Sequence, residues 1–511
     1  MRLTSKIIAC VGLGLAAGGS SLLQAAEGPV SCEALKGRSF EQTSISDAQP
    51  VAAGAFRLPA STQPGPPPPD FSKLPAFCRV QGSITPTPDS DIRFEVWLPA
   101  QGWNGKFVQA GNGGAAGSIV HASLGEVLAR GYAVANTDTG HQAAGGDFSW
   151  AAGHPEKLTD YAWRSVHLLT GIGKAITTAH YGKKPAKSYW YGCSTGGRQG
   201  LKEAQRFPED YDGIVAGAPA ANWGPLMSLA IHVQKNMNGP QGLGVDKLGL
   251  LKEAAIAACD GLEGVTDRVT TNLKACRFDP AVLACKPGES KQCLAPAEVD
   301  AARRIYAGVV DSEGKVYFPG TGPGSEPLWA AYAGGPFALG TSYVRNVVAK
   351  DPTWDPATFD IDRDVPRISA ADGGQSVAMD PDLSRFIDRG GKLITYHGTT
   401  DGLISFGNTV NYVDSVKAKL GVAKTDQGLR FYAVPGMDHC SGGEGAHQVD
   451  WLGALDQWVD GGRPPDTLPG THPAAPQGKS FTRPTCVWPK LPKYKGAGDV
   501  ADAANYQCAA P

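Results

Sequence analysis

An α/β fold, with a sheet-and-helix core interrupted by a large inserted cap, is predicted by three features of the 511-residue sequence. The strand-like run Ser188-Tyr189-Trp190-Tyr191 leads straight into Gly192-Cys193-Ser194-Thr195-Gly196, which opens into the helix-forming stretch Arg198 to Ala204. Strand-like segments such as Phe94 to Leu98 and Tyr132 to Asn136 alternate with helical ones such as Arg164 to Ala179. That alternation breaks off near residue 223 and resumes only near 384, with the strand signals Gly391 to His397 and Leu429 to Val434 and a closing helix from Val449 to Val459.

Taken in order, residues 1–26 read as an export signal. Arg2 and Lys6 precede the apolar stretch Ile7 to Ala17, and small residues follow near Ala25-Ala26, so the mature chain is expected in the periplasm or outside the cell. Ile7-Ile8-Ala9-Cys10 resembles an acylation site, but almost no apolar sequence precedes Cys10. Residues 27–75 read as an irregular arm ending in the run Gly65 to Pro69, which favours extended polyproline geometry. Residues 76–222 and 384–511 form the expected catalytic core, and 223–383, rich in Gly, Pro and Cys, the cap or lid. No later stretch reaches the ~20 apolar residues a membrane span requires. The net charge of −2 and the lack of Lys/Arg runs exclude a nucleic-acid partner, and oligomeric state is not implied.

Eleven cysteines are present, and setting aside Cys10 leaves an even number in an exported chain, which reads as a disulfide framework. Spacing does not fix the connectivity. Local closure favours Cys259–Cys276, Cys285–Cys293 and Cys486–Cys508, with Cys32–Cys78 tying down the arm. Cys193 and Cys440 then remain, either as free thiols or as a fifth bridge. They flank Ser194 and His439, and a hydrogen bond between those two residues would bring the cysteines within the ~6 Å Cα separation that a disulfide needs.

G-x-S-x-G after a strand and before a helix places a serine on a sharp turn, exposed at the sheet edge. Such a nucleophile needs a base and a carboxylate to orient that base. In chain order the candidates are Ser194, then Asp401, then His439, each just beyond a strand signal. Ser, Asp, His is the order of α/β-hydrolases, so the fold class sharpens to an α/β-hydrolase core with an inserted lid. Asp438 adjoins His439 and reads as a surface carboxylate. His397 can line the pocket or support the site from behind. For the oxyanion, Thr195 should donate one amide and the Gly-rich loop Gln109 to Gly114 another.

These residues resemble the tannase and feruloyl esterase family, which includes an enzyme that hydrolyses mono(2-hydroxyethyl) terephthalate. The resemblance covers nearly the whole mature chain. It is carried by Cys193-Ser194, Asp401 and His439-Cys440, by Tyr211 to Pro219 and by Val434 to Cys440. It implies a Cys193–Cys440 disulfide, and an oxyanion hole formed by the Gly111 and Thr195 amides. It also implies a structural Ca²⁺ in the lid, held by Asp260, Glu263 and Asp267 and by the carbonyls of Val265 and Val269. Read without it, Cys259 to Val269 is either a solvated acidic turn or an oxygen-rich cation loop. Glu263 stands where the family commonly has Asp.

The implied activity is that of a serine esterase on esters of hydroxycinnamic acids, such as ferulic acid, or of gallic acid, with the small aromatic ester as its partner. Ile404 stands where the terephthalate-cleaving relative carries an aromatic residue, so His397 and Ile404 are the candidate pocket residues. A terephthalate half ester also needs a cation for its free carboxylate, and only Arg345 offers a loose match. That half ester is the second reading, a peptidase or amidase on the same fold a further one, and a binding protein with an idle triad another.

Overall fold

The computed structural model describes residues 28–58, 69–262, 264–334, 338–474 and 480–511. The expected export segment, the stretch 65–68 and Glu263 lie outside the described residues.

In chain order the first seven strands are β1 (Thr43–Val51), β2 (Phe77–Ile84), β3 (Ile92–Pro99), β4 (Lys106–Ala110), β5 (Ala133–Thr137), β6 (Lys187–Cys193) and β7 (Gly213–Gly217). A short hairpin, β8 (Gly308–Val310) and β9 (Val316–Pro319), precedes β10 (Lys392–Gly398) and β11 (Leu429–Val434). All but the hairpin form one nine-stranded sheet in the order β1-β2-β3-β5-β4-β6-β7-β10-β11. The pairs from β1 to β5 are antiparallel, and from β5 through β4 to β11 every pair is parallel.

Parallel strands need crossovers, and helices Ser165–Tyr181, Thr195–Arg206 and Phe406–Leu420 supply them on the sheet faces. Covered on both faces, β7 and β11 are buried at every residue, which is why β7 reads as an unbroken apolar run and β11 as one interrupted only by Arg430. The ends of β6, β10 and β11 therefore converge on one edge of the sheet, where the loops carrying Ser194, Asp401 and His439 begin.

One expectation is corrected. The arm is not irregular throughout, because Thr43–Val51 adds an edge strand in register from Thr43 opposite Ile84 to Val51 opposite Phe77. Its sequence concealed this because only Ile45 and Ala48 within it are buried. The disulfide Cys32–Cys78 ties the arm to β2.

The chain leaves the sheet after Gly217 and returns at Lys392, and between them run the helices Trp223–Met237, Leu248–Cys259, Pro296–Ala307 and Ile361–Ala370. Their apolar faces share one buried cluster with Phe148 and Tyr161, which precede β6 in the chain. Cys259–Cys276 and Cys285–Cys293 close loops within this insertion, and Cys486–Cys508 joins the two hairpins of the tail. No helix among the described residues is long and apolar enough to cross a membrane.

Candidate active site

Ser194 sits between β6 and helix Thr195–Arg206 with φ 63° and ψ −123°, a left-handed backbone that a non-glycine residue adopts only when its surroundings enforce it. The enforcement is visible. The Ser194 amide donates to the Gly217 carbonyl (3.0 Å), and the Ser194 carbonyl accepts from Arg198 (3.0 Å) and Ala220 (3.1 Å). The turn is tight enough that a Cβ on Gly192 would lie 2.9 Å from the Gly196 Cα.

His439 is positioned from two sides. Its Nδ1–H donates to Asp401 Oδ2 at 2.7 Å, and the neighbouring Cys440 is bonded to Cys193, with a Cα separation of 6.0 Å. Asp401 is fully buried, and its Oδ1 accepts from the amides of Leu403 and Ile404, each at 2.9 Å. Burial alone would raise this carboxyl, but His439 and the hydrogen bonds of both histidines outweigh it and hold it well below the usual range. Burial likewise lowers His439, and the Asp401 charge and hydrogen bond overcome that and raise it above its ordinary value. Asp438 is not a free surface carboxylate. It accepts from the Thr400 hydroxyl at 3.0 Å, and burial pushes it up to about 6.

The oxyanion expectation holds less well. The Gly111 amide already donates to the Tyr191 carbonyl at 2.9 Å as a continuation of the sheet ladder, so it does not point at the nucleophile. Gly111 serves close approach instead, since a Cβ there would lie 2.6 Å from the Gly196 Cα. Among the described residues, the amides of Gly113, Gly114 and Thr195 have no acceptor. Of the two loop glycines, Gly114 is tied to the nucleophile turn, its carbonyl accepting from the Thr195 hydroxyl at 2.6 Å. Gly114 and Thr195 are therefore the donor pair that the geometry favours.

The chain matches the family described as tannase and feruloyl esterase over residues 78–509. It belongs to the tannase and feruloyl esterase family. An uncharacterized esterase of Xanthomonas campestris pv. campestris is 34% identical over 99% of this chain and 95% of its own. A probable feruloyl esterase B-1 of Aspergillus flavus is 34% identical over 84% of this chain and 86% of its own. The solved feruloyl esterase B from Aspergillus oryzae superposes with a TM-score of 0.85 at 29% identity, covering 94% of this chain and 99% of that one. The tannin acyl hydrolase from Aspergillus niger shares the fold, with a TM-score of 0.76 at 22% identity. This family member is a carboxylic ester hydrolase with an α/β-hydrolase fold.

In the esterase, a cavity of about 680 Å³ opens over Ser194 and His439, walled by Gly113, Gly114, Tyr191, Tyr396 and Leu403. The two expected pocket residues lie behind this wall. His397 is fully buried, its Nε2–H donating to Asp401 Oδ2 (3.1 Å) and the Ile404 carbonyl (2.8 Å) while the Thr409 hydroxyl donates to its Nδ1 (2.7 Å). Ile404 is 3% exposed and packs into the buried cluster of the cap, so the turn presents Leu403 to the cavity. Arg345 donates to the Trp354 carbonyl at 2.9 Å and is not among the lining residues.

Two residues were missed from sequence. Asn112 and Gln199 exchange hydrogen bonds, the Asn112 amide to Gln199 Oε1 and Gln199 Nε2 to Asn112 Oδ1, both at 3.1 Å. The pair pins the Gly-rich loop to the nucleophile helix. Its signal was present, an amide inside the Gly-Arg-Gln-Gly run at a position the helix buries.

In the loop after Cys259, the Asp260 carboxylate accepts from the amides of Asp267 (3.0 Å) and Arg268 (2.9 Å). Asp267 accepts from the Val269 amide (3.1 Å) and pairs with Arg483 (2.5 Å). The loop thus curls Asp267 back against Asp260, and its donors are hard oxygens of the kind Ca²⁺ takes. Val265 and Val269 are buried on its inner side.

Proposed function

We propose that this esterase cleaves esters of aromatic acids, hydroxycinnamic or gallic, by a two-step acyl transfer at Ser194. The observation that carries the mechanism is the Asp401–His439 hydrogen bond of 2.7 Å, with His439 tethered to the nucleophile turn through Cys440–Cys193. His439 Nε2 takes the Ser194 proton as Oγ attacks the ester carbonyl, and Asp401 holds the required tautomer and stabilises the imidazolium. The amides of Thr195 and Gly114 receive the oxyanion. His439 then protonates the departing alcohol, and water, deprotonated by the same imidazole, releases the acid.

The aromatic acyl group is supported by the relatives, one described as a feruloyl esterase and one as a tannin acyl hydrolase. Against the terephthalate half ester stands the cavity lining, which among the described residues includes no Lys or Arg to meet a second carboxylate. The test is acid release from methyl ferulate, chlorogenate, methyl gallate and mono(2-hydroxyethyl) terephthalate, with Ser194→Ala as control. Turnover of the last alone would overturn the acid assignment, and retained activity in the control would overturn the nucleophile.

Two further elements belong to this reading. The lid loop binds a structural Ca²⁺ through Asp260, Glu263 and Asp267 and the carbonyls of Val265 and Val269, stiffening the loop without entering the chemistry. The chain is exported by its first 26 residues, a view supported by the five disulfides among the described residues, which form and persist in oxidising compartments.

A further inference from the structure

Tyr161 lies in a single π-helical turn, Asp160–Arg164, that joins the short helix Pro155–Thr159 to helix Ser165–Tyr181. Such turns insert an extra residue into a helix and re-aim a side chain, often toward a functional site. The ring is fully buried, edge-on to Phe148 (5.6 Å) and Trp223 (5.7 Å), with the Arg198 guanidinium 4.7 Å from its centroid. A phenylalanine would satisfy every one of those ring contacts. The hydroxyl does something else, donating to the Gly114 carbonyl at 3.1 Å.

That carbonyl also accepts from the Thr195 hydroxyl at 2.6 Å, so both of its lone-pair positions are occupied. A peptide unit is planar, so a grip at its oxygen orients the whole unit. The same unit is held at its other end, where the Ala115 amide donates to the Gly145 carbonyl at 2.7 Å. The units on the N-terminal side are held as well, with the Asn112 carbonyl accepting from Gly196 (2.7 Å) and the Gly113 carbonyl from Ala116 (2.9 Å). Gly114 itself has φ +54°, in a segment of two adjacent glycines that has little conformational preference of its own. Hydrogen bonds, not side-chain sterics, therefore determine where its free amide points.

We propose that Tyr161 is a positioning residue for the oxyanion hole: its hydroxyl, with that of Thr195, clamps the Gly114 carbonyl and so fixes the peptide unit on the C-terminal side of the Gly114 Cα, while the Ala116 bond to the Gly113 carbonyl fixes the unit that carries the Gly114 amide, the two together holding that amide toward the developing oxyanion. The inference rests on the esterase reading above. Burial pushes the phenol up to about 12, so it stays a protonated donor at any working pH. Because the ring packs against Trp223 and Phe148, the clamp is also built into the apolar cluster that the cap shares with the core.

The test is Tyr161→Phe, which removes one oxygen and keeps the ring. On methyl ferulate, kcat should fall by about tenfold while KM stays within about twofold, a smaller loss than the 10²–10³ of deleting a donor outright. Affinity for an arylboronic acid, which forms a tetrahedral adduct on the serine, should weaken by the same factor as kcat. Binding of methyl ferulate to Ser194→Ala and to Ser194→Ala/Tyr161→Phe should be equal. Thr195→Val should give a similar split, and the double variant less than the product of the two losses. Unchanged kcat and boronate affinity in Tyr161→Phe would overturn the proposal, as would a fall in kcat matched by weaker substrate binding and a lowered melting temperature. If the wild type hydrolyses no ester of the panel, the esterase reading fails instead.

Discussion

His397 and Asp401 form a hydrogen bond of 3.1 Å inside the protein, and His397 reaches the Ile404 carbonyl, at 2.8 Å, with the same Nε2–H. Both partners of that nitrogen are acceptors, so the proton resides on Nε2 and Nδ1 accepts from the Thr409 hydroxyl at 2.7 Å. The carboxylate that holds the His439 imidazole is thus itself held by a second histidine, which lies behind the cavity wall. With the Leu403 and Ile404 amides, Asp401 has donors on both oxygens and little freedom to turn away from His439.

His397→Leu removes that donor and should lower kcat on methyl ferulate by on the order of tenfold, a part of the roughly 10²–10⁴ that general acid–base catalysis contributes. KM should hold, because His397 lies behind the cavity wall. His397→Gln keeps a donor and should recover part of the loss. Equal losses in the two variants would mean that the ring is needed only for packing.

The pH profile follows from the raised pKa of His439. The base must be neutral, so activity should rise with pH through a midpoint above the ordinary histidine value of about 6.5. The sign for stability is opposite. A raised folded pKa means that charged His439 stabilises the fold below the unfolded pKa, and the contribution is lost as pH climbs through the folded one. Asp401→Asn removes the charge that raises His439 while leaving burial, which lowers it. Its residual activity, expected to be down by about 10⁴, should therefore show an acid limb displaced to lower pH. A limb that stays in place would assign it to another group, for which Asp438, raised to about 6, is the nearest candidate.

Cys193–Cys440 spans 247 residues, a loop whose closure entropy corresponds to about 5 kcal/mol in the chain-entropy picture. Its position matters more than that figure. Cys193→Ser/Cys440→Ser should lose most of its kcat at temperatures where circular dichroism still reports a folded protein, because the His439 loop is released from the nucleophile turn. Unchanged kinetics in the folded double variant would reduce the bridge to a staple.

Chain order made the placement of Ser194, Asp401 and His439 legible, because each follows a strand that its own apolar run announces, and the structure joins the last two by a hydrogen bond. Three cysteine pairs were favoured by local closure and Cys32–Cys78 as the tie of the arm, whereas for Cys193 and Cys440 the residues left free thiols or a bridge open and only the family resemblance implied the bridge. Thr43–Val51 was not legible, since an edge strand with two buried side chains carries no alternating pattern. Gly111 was misassigned because a glycine motif gives no direction to its amides, and only the pairing of β4 with β6 reveals which are already bonded. His397 was placed in the pocket by its proximity in sequence to Asp401, and Ile404 by its match to an aromatic position of the terephthalate-cleaving relative, but the tight turn that fixes the carboxylate points both inward and sends Leu403 to the cavity.

Gly111→Ala separates the two roles that this glycine has been given. As a donor its amide would survive the substitution, and activity would be little changed. As a spacer it cannot be replaced, because the new Cβ would sit 2.6 Å from the Gly196 Cα and 3.0 Å from Trp190 Cζ2, both in rigid surroundings. The loop must then move away from the nucleophile helix and break the Asn112–Gln199 exchange. The expected result is about 1–3 kcal/mol of destabilisation by chemical denaturation, together with a loss of kcat. Gly113→Ala is the matched control. Nothing lies within 4 Å of a Cβ there, so this variant should stay close to wild-type stability. Equal stability of the two variants would show that the loop does not depend on close approach at Gly111.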